Sequence, residues 1–153
     1  MEPRNATAND AKLILKLYDL RREPLMRKAR DFVNGNVWPQ SADEIVQLFQ
    51  AFGTEQNAFL RQVGSYWDMS ASLVLRGALH EELFMDSAGE MIFVFAKFHP
   101  FLKEVREKLQ APEFLINIER LLNHNEAWRS KLNAILERVK SIGEMRTQAA
   151  KQH

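Results

Sequence analysis

The twelve residues Met91–Leu102, MIFVFAKFHPFL, constrain this chain more than any other stretch. Nine of them are apolar: Met91, Ile92, Phe93, Val94, Phe95, Ala96, Phe98, Phe101 and Leu102. A helix on a protein surface needs an apolar stripe along one side only, so a segment apolar all round must be enclosed by other elements or by a partner chain. The run is therefore expected at the centre of the fold or at a subunit contact. Lys97, His99 and Pro100 interrupt it, and it falls short of the roughly 18–20 residues of a membrane-spanning helix.

A length of 153 residues suits a single domain, 1–153, long enough to bury a core that ten Phe and three Trp would fill. The absence of cysteine rules out a disulfide framework, a thiolate nucleophile and a cysteine-ligated metal. It agrees with the reducing cytoplasm, the location expected here. The opening MEPRNATAND is polar and does not read as a secretory signal. The net charge of +1 conceals a polarised distribution. Residues 1–34 carry eight Lys/Arg against five acids and residues 125–153 six against three, whereas residues 41–90 carry two against eight. Such halves could attract one another within the chain or across an antiparallel dimer, or be no more than solvated faces.

Hydrophobic spacing is helical nearly throughout. Leu13, Leu17 and Leu20 recur at i, i+4, i+7, with Ile14 and Tyr18 widening the stripe, and Asn9 or Asp10 is placed to cap that helix. Pro24 predicts a break at Arg22–Glu23, and Asn34-Gly35 a stop after the resumed helix. Ser41 and Glu44 stand at capping-box spacing ahead of Ile45, Leu48, Phe49 and Phe52. A long helix is predicted over Glu55–Arg76, closed by Gly77, and a second over Glu81–Phe98, with Glu81 and Glu82 in its first turn. Pro100 and Pro112 open two short helices, and Asn123-His124-Asn125, a break with a capping residue at its end, precedes the last. That helix carries Trp128, Leu132, Ile135, Val139 and Ile142 at 4-3-4-3 spacing, a coiled-coil-like seam about two heptads long. Ile92–Phe95 could be a buried strand, but no second strand candidate exists to pair with it.

The segment Tyr66–Glu90 reads YWDMSASLVLRGALHEELFMDSAGE. Its Tyr66-Trp67-Asp68, Leu73-Val74, Gly77 and Glu81-Glu82-Leu83-Phe84, with LYDLRRE at Leu17–Glu23, resemble a block in uncharacterised bacterial all-helical proteins grouped under a domain of unknown function. These segments span roughly a quarter of the chain. The resemblance implies a helical fold and brings no activity, ligand or catalytic residue.

Candidate chemistry is sparse. Glu82, Asp86 and Glu90 repeat at i, i+4, i+8 and would line one side of a continuous helix, a weak candidate for a divalent metal because hard cations want clustered oxygen ligands. No Glu-x-x-His pair of a di-iron site exists, and Glu104-x-x-Glu107 lacks a second carboxylate pair. His80, His99 and His124 fall at helix junctions, with His80 placed as a cap, and His153 lies in the tail; none has an i+4 partner for zinc. Ser65 has no nucleophile elbow around it, and six scattered glycines form no phosphate cradle. Arg21, Arg22, Arg27, Lys28 and Arg30 are split by Pro24 and diluted by Asp19, Glu23 and Asp31, so nucleic acid is not the expected partner. Trp38, beside Pro39 in a polar connector, either plugs the core or anchors a partner.

The expectation is therefore an all-α single domain of about six to eight helices, several short. At its centre Glu55–Arg76 and Glu81–Phe98 would form an antiparallel pair, and residues 1–8 and 144–153 would fray. Its expected role is that of a non-catalytic interaction or regulatory domain without a cofactor, meeting another protein or its own copy through Trp128, Leu132, Ile135, Val139, Ile142 and Trp38. The alternative is a helical metal- or small-ligand-binding protein or enzyme using the Glu82/Asp86/Glu90 face or an aromatic pocket near Phe93–Phe101.

Overall fold

The computed structural model describes residues 3–152 and is all-helical, with no strand among them. Nine α-helices follow in order: α1 (Ala8–Arg21), α2 (Pro24–Asn36), α3 (Ala42–Gln50), α4 (Glu55–Leu75), α5 (Glu81–Met85), α6 (Gly89–Phe98), α7 (Leu102–Leu109), α8 (Ile116–Leu122) and α9 (Glu126–Lys151). A 3₁₀ turn, His99–Phe101, joins α6 to α7. His153 and the first two residues lie outside the described range.

Short-range chemistry sets most boundaries. Pro24 separates α1 from α2, and the Glu23 carboxylate caps α2 by accepting from the Met26 N–H at 2.8 Å. The Ser41 hydroxyl accepts from the Glu44 N–H, while the Glu44 carboxylate returns to the Gln40 N–H rather than to Ser41 itself. Thr54 and Asn125 cap α4 and α9. Gly77 ends α4 at φ +80°, a left-handed conformation that lets the Ala78 N–H reach the Leu73 carbonyl.

The cap of α1 differs from the expected one. Thr7 occupies it, and Asp10 is the acid that closes the capping box. Asp10 is buried and accepts from both Arg4 guanidinium nitrogens (2.6 and 2.7 Å), the Thr7 N–H and hydroxyl (2.8 Å each) and the His80 N–H (3.0 Å). Arg4 above all holds this carboxyl far below the usual carboxylate range. His80 in turn caps α5: its Nδ1 accepts from the Leu83 N–H, which leaves Nε2 to donate to the Arg4 carbonyl at 2.8 Å. Residues 4–7 are thus tied to the body, and at the other end α9 continues through Gly143 to Lys151.

α4 is central. It packs along α2 on one side and α8 on another. Arg21, just before α2, stacks on Trp67 in the second half of α4, whereas Lys28 and Phe32 meet Glu55 and Phe59 at its start. The two helices therefore run antiparallel, and α2 rather than the Glu81–Phe98 segment is the partner of α4. Against α8, Gly64 lies beside Leu115, and Asp68 accepts from the Asn117 N–H (2.9 Å), the Ile118 N–H (3.1 Å) and the Asn117 side chain (2.9 Å). A side chain of α4 thereby caps α8.

The Glu81–Phe98 segment is two helices, broken at Asp86–Ala88. Phe84 and Glu90 would lie about 120° apart on a continuous helix and could not both reach one indole. Across the break both do: Phe84 packs edge-on to Trp67, and the Glu90 carboxylate accepts from the Trp67 Nε1–H at 3.1 Å. Glu90 also receives a two-pronged bond from Arg30 (2.7–3.0 Å) and a longer one from the Asn34 amide (3.4 Å). Burial pushes its carboxyl up, and Arg30, Trp67 and Asn34 together pull it down further, for a net lowering. Beside it the Tyr66 hydroxyl donates to the Leu17 carbonyl at 2.7 Å, and burial raises that phenol to about 12.

The apolar run is enclosed by the chain itself. Met91, Ile92, Val94, Phe95, Ala96 and Phe98 are all buried, and α9 lies along α6. Of the two settings expected for it, the centre of the fold is the one realised. Substituting Asp68 by Ala removes the cap of α8 and is expected to destabilise the fold by about 1–3 kcal/mol. The measurement is urea unfolding, with a lower midpoint and an unchanged slope.

Candidate functional site: an unpartnered helix and a cationic groove

The break between α5 and α6 dismantles the acidic face. Glu82 and Asp86 are exposed, Glu90 turns inward to Arg30, and no group of three His, Asp or Glu among the described residues is placed to hold a metal. The expected metal ligands are thus not brought together, because their i, i+4, i+8 spacing shares a face only on an unbroken helix. The seam of α9 meets the core: Trp128 and Leu132 are buried, and Ile135 and Val139 pack partly buried against it. Trp128 is further fixed by its Nε1–H, which donates to Glu81 at 3.0 Å, where His124 also bonds at 2.7 Å. Only Ile142, half-buried, lies toward the end of that seam. In the basic cluster, Arg21 stacks on Trp67, Lys28 pairs with Glu55 at 3.3 Å and Arg30 with Glu90.

Trp38 and the Phe93–Phe101 segment do come together. Trp38 packs edge-on to Phe93 with centroids 5.8 Å apart, half-buried at the head of a groove of about 660 Å³. The groove runs between the Trp38–Gln40 connector, the end of α6 with its 3₁₀ turn, and the second half of α9. Ala96, Pro100, Phe101, Leu136 and Val139 supply its apolar walls. Lys97 also lines it and is only 2% exposed. Its ammonium donates to the Val33 carbonyl near the end of α2 and lies 4.9 Å from the Trp38 ring centroid and 5.1 Å from that of Phe93. Lys97 forms no ion pair with a carboxylate among the described residues. Burial, reinforced by Arg146 and opposed by Glu90, lowers its pKa to about 7. Arg146, on α9, lies 5.0 Å from the Trp38 ring centroid.

A second feature lies on α1. Its segment LILKLYDL carries large apolar residues well beyond the one face through which α1 touches the body, where Asp10, Leu17 and Arg21 are buried. Leu15 is 66% exposed, Tyr18 50% and Leu20 44%. The neighbouring Leu25, at the start of α2, is exposed as well. A further depression beside Phe49, Leu60 and Phe114 contains Asp68, but that carboxylate is already committed to α8.

A family model described as a domain of unknown function, DUF4760, matches residues 6–128. The chain belongs to this family. The DUF4760 match takes in α1–α8 and the first turn of α9, so the α9 wall of the groove lies beyond it. No curated protein and no solved structure matches significantly. The block read from the sequence falls within the DUF4760 region, and its polar members make structural joints: Tyr66 to α1, Trp67 to Glu90, Asp68 to α8 and Glu81 to Trp128. No helix among the described residues is long and apolar enough to cross a membrane.

Sequence reasoning passed over Lys97 as an interruption of the apolar run. Its signal was there: a single cation within a segment that must be enclosed is itself enclosed. Lys97 loses its proton near pH 7 in the folded chain and only near pH 10 when unfolded, so between these values the unfolded chain binds the extra proton. Stability relative to the Lys97→Met variant should therefore rise with pH from about 7 to about 10, by at most about 1.4 kcal/mol per pH unit, and be level below that window. Urea unfolding of both proteins across that range reads the effect; parallel profiles would refute it.

Proposed function

We propose that this chain is a non-catalytic interaction domain that self-associates through α1. The carrying observation is the exposure of Leu13, Leu15, Tyr18 and Leu20 on one helix, while the chain's own core occupies the two other surfaces that might have served, α6 and the first half of the α9 seam. Exposed apolar surface concentrated on one element marks an interaction site.

The charges on α1 argue for a second copy as the occupant. Lys12, Lys16 and Asp19 follow a 4-3 spacing along its outer side, with Glu23 just past the helix end, and none of the four forms an ion pair among the described residues. In an antiparallel pairing about Leu17–Tyr18, Lys16 of each copy faces Asp19 of the other and Lys12 faces Glu23. The same register sets Leu15 against Leu20. Such a contact is self-complementary, as a two-fold interface requires. A single helix pair buries less than the roughly 1,200 Å² of a stable interface, so the dimer is concentration-dependent, with charge fixing register more than affinity.

Sedimentation equilibrium over a concentration series tests this. The unmodified chain should dimerise, Leu15→Asp with Leu20→Asp should stay monomeric with unchanged helicity, and Lys16→Glu should weaken the dimer. Adding Asp19→Lys to Lys16→Glu should restore it. A chain monomeric at every concentration, or a dimer indifferent to these substitutions, would overturn the proposal.

A further inference from the structure

We propose that the groove between the Trp38–Gln40 connector, the end of α6 and α9 binds a small apolar molecule through a single carboxylate, which Lys97 and Trp38 receive beside the positive charge of Arg146. The site is separate from α1 and the inference stands without the dimer.

Three hydrogen-bond donors gather about the Trp38 ring, which with Lys97 lines the groove: its own Nε1–H, the Lys97 ammonium and the Arg146 guanidinium, 4.9 and 5.0 Å from its centroid. Among the described residues the buried Trp38 Nε1–H has no partner. Among them, too, the Lys97 ammonium bonds the Val33 carbonyl alone and has no carboxylate within salt-bridge distance. Arg146, 5.0 Å from the Trp38 ring centroid, pairs with no acid among the described residues and adds a second positive charge to the same corner. A buried donor without an acceptor and a buried charge without a counter-charge each cost free energy. An anion bearing acceptor oxygens relieves both at once.

The surroundings select the kind of anion. Ala96, Phe101, Leu136 and Val139 offer an apolar bed, and about 660 Å³ is the size of a small-molecule site. Glu137 and Glu144 line the same groove, so a doubly charged phosphate monoester meets repulsion that a monoanion largely escapes. Lys140 and Lys151, on the same helix α9 as these acids, line it too and with Lys97 leave the groove a small excess of positive charge that one carboxylate offsets. Proximity of the bound carboxylate favours the ammonium form of Lys97, so binding above neutral pH takes up a proton.

The test is calorimetric titration of the full chain with 4-phenylbutanoate, 4-phenylbutanol and 4-phenylbutyl phosphate. The carboxylate should bind at least about tenfold more tightly than the alcohol, a difference near 1.4 kcal/mol, and more tightly than the phosphate. Its binding heat at pH 8 should depend on the buffer's ionisation enthalpy, which reports proton uptake. Lys97→Met should abolish the preference for carboxylate, and Trp38→Phe, which keeps the ring and loses the N–H, should weaken it several-fold; Arg146→Gln, on the surface of α9, provides a third variant should Lys97→Met not fold. No carboxylate binding at millimolar concentration, equal binding of acid and alcohol, tighter binding of the phosphate, or carboxylate binding indifferent to these substitutions would overturn the proposal.

Discussion

The architecture depends on one half-buried carboxylate. Glu90 stands at the start of α6 and accepts from Arg30 and Asn34 on α2 and from Trp67 on α4. Seven residues on, Lys97 reaches the same α2 at the Val33 carbonyl. Two long polar side chains at the two ends of α6 thus set its position against α2, and apolar packing on α9 fills the other side. A carboxylate in such a place is held only if its partners outweigh the desolvation it suffers. Arg30, Trp67 and Asn34 together do so, which is why the net effect on Glu90 is a lowered pKa in spite of burial. The break at Asp86–Ala88 follows from the same demand, since Glu90 and Phe84 converge on one indole only when the helix is interrupted.

Much of the polar chemistry of this chain is spent on joints. Asp10 gathers the N-terminal segment, the start of α1 and the His80 turn; Asp68 caps α8; Glu81 holds Trp128 and the His124 turn. These acids occupy the positions where a metal or general-acid reading would look first, and each already has its donors. The contrast with Lys97 and Trp38 is informative. There the donors outnumber the acceptors, and the surplus lies along a groove.

What the sequence disclosed follows the range of the forces involved. The Pro24 break, the caps at Ser41 and Asn125, and the Gly77 stop arise from neighbours within a few residues and were legible. The division of Glu81–Phe98 was not, because its cause is Trp67, distant along the chain; the small residues Ser87-Ala88-Gly89 are the only local sign. The acidic face was read from helical periodicity that presumed continuity, so it failed with the break. Asn9 or Asp10 is the cap that helical spacing suggests, whereas Thr7 takes that place and Asp10, three residues on, completes the reciprocal pair. Met91–Leu102, apolar all round, is enclosed as such a segment must be. LILKLYDL also carries more large apolar residues than one face can bury, and among the described residues α1 meets no second wall.

The clamp at Glu90 is most directly tested by carbon-13 NMR titration of its carboxyl in the folded protein. The account predicts a pKa below the ordinary glutamate value of about 4.3. The stability it contributes is then present above that value and lost as pH falls through the lowered one, because the unfolded chain takes up the proton first. A pKa at or above the ordinary value would mean that burial outweighs Arg30, Trp67 and Asn34, and would contradict the clamp on which the placement of α6 rests.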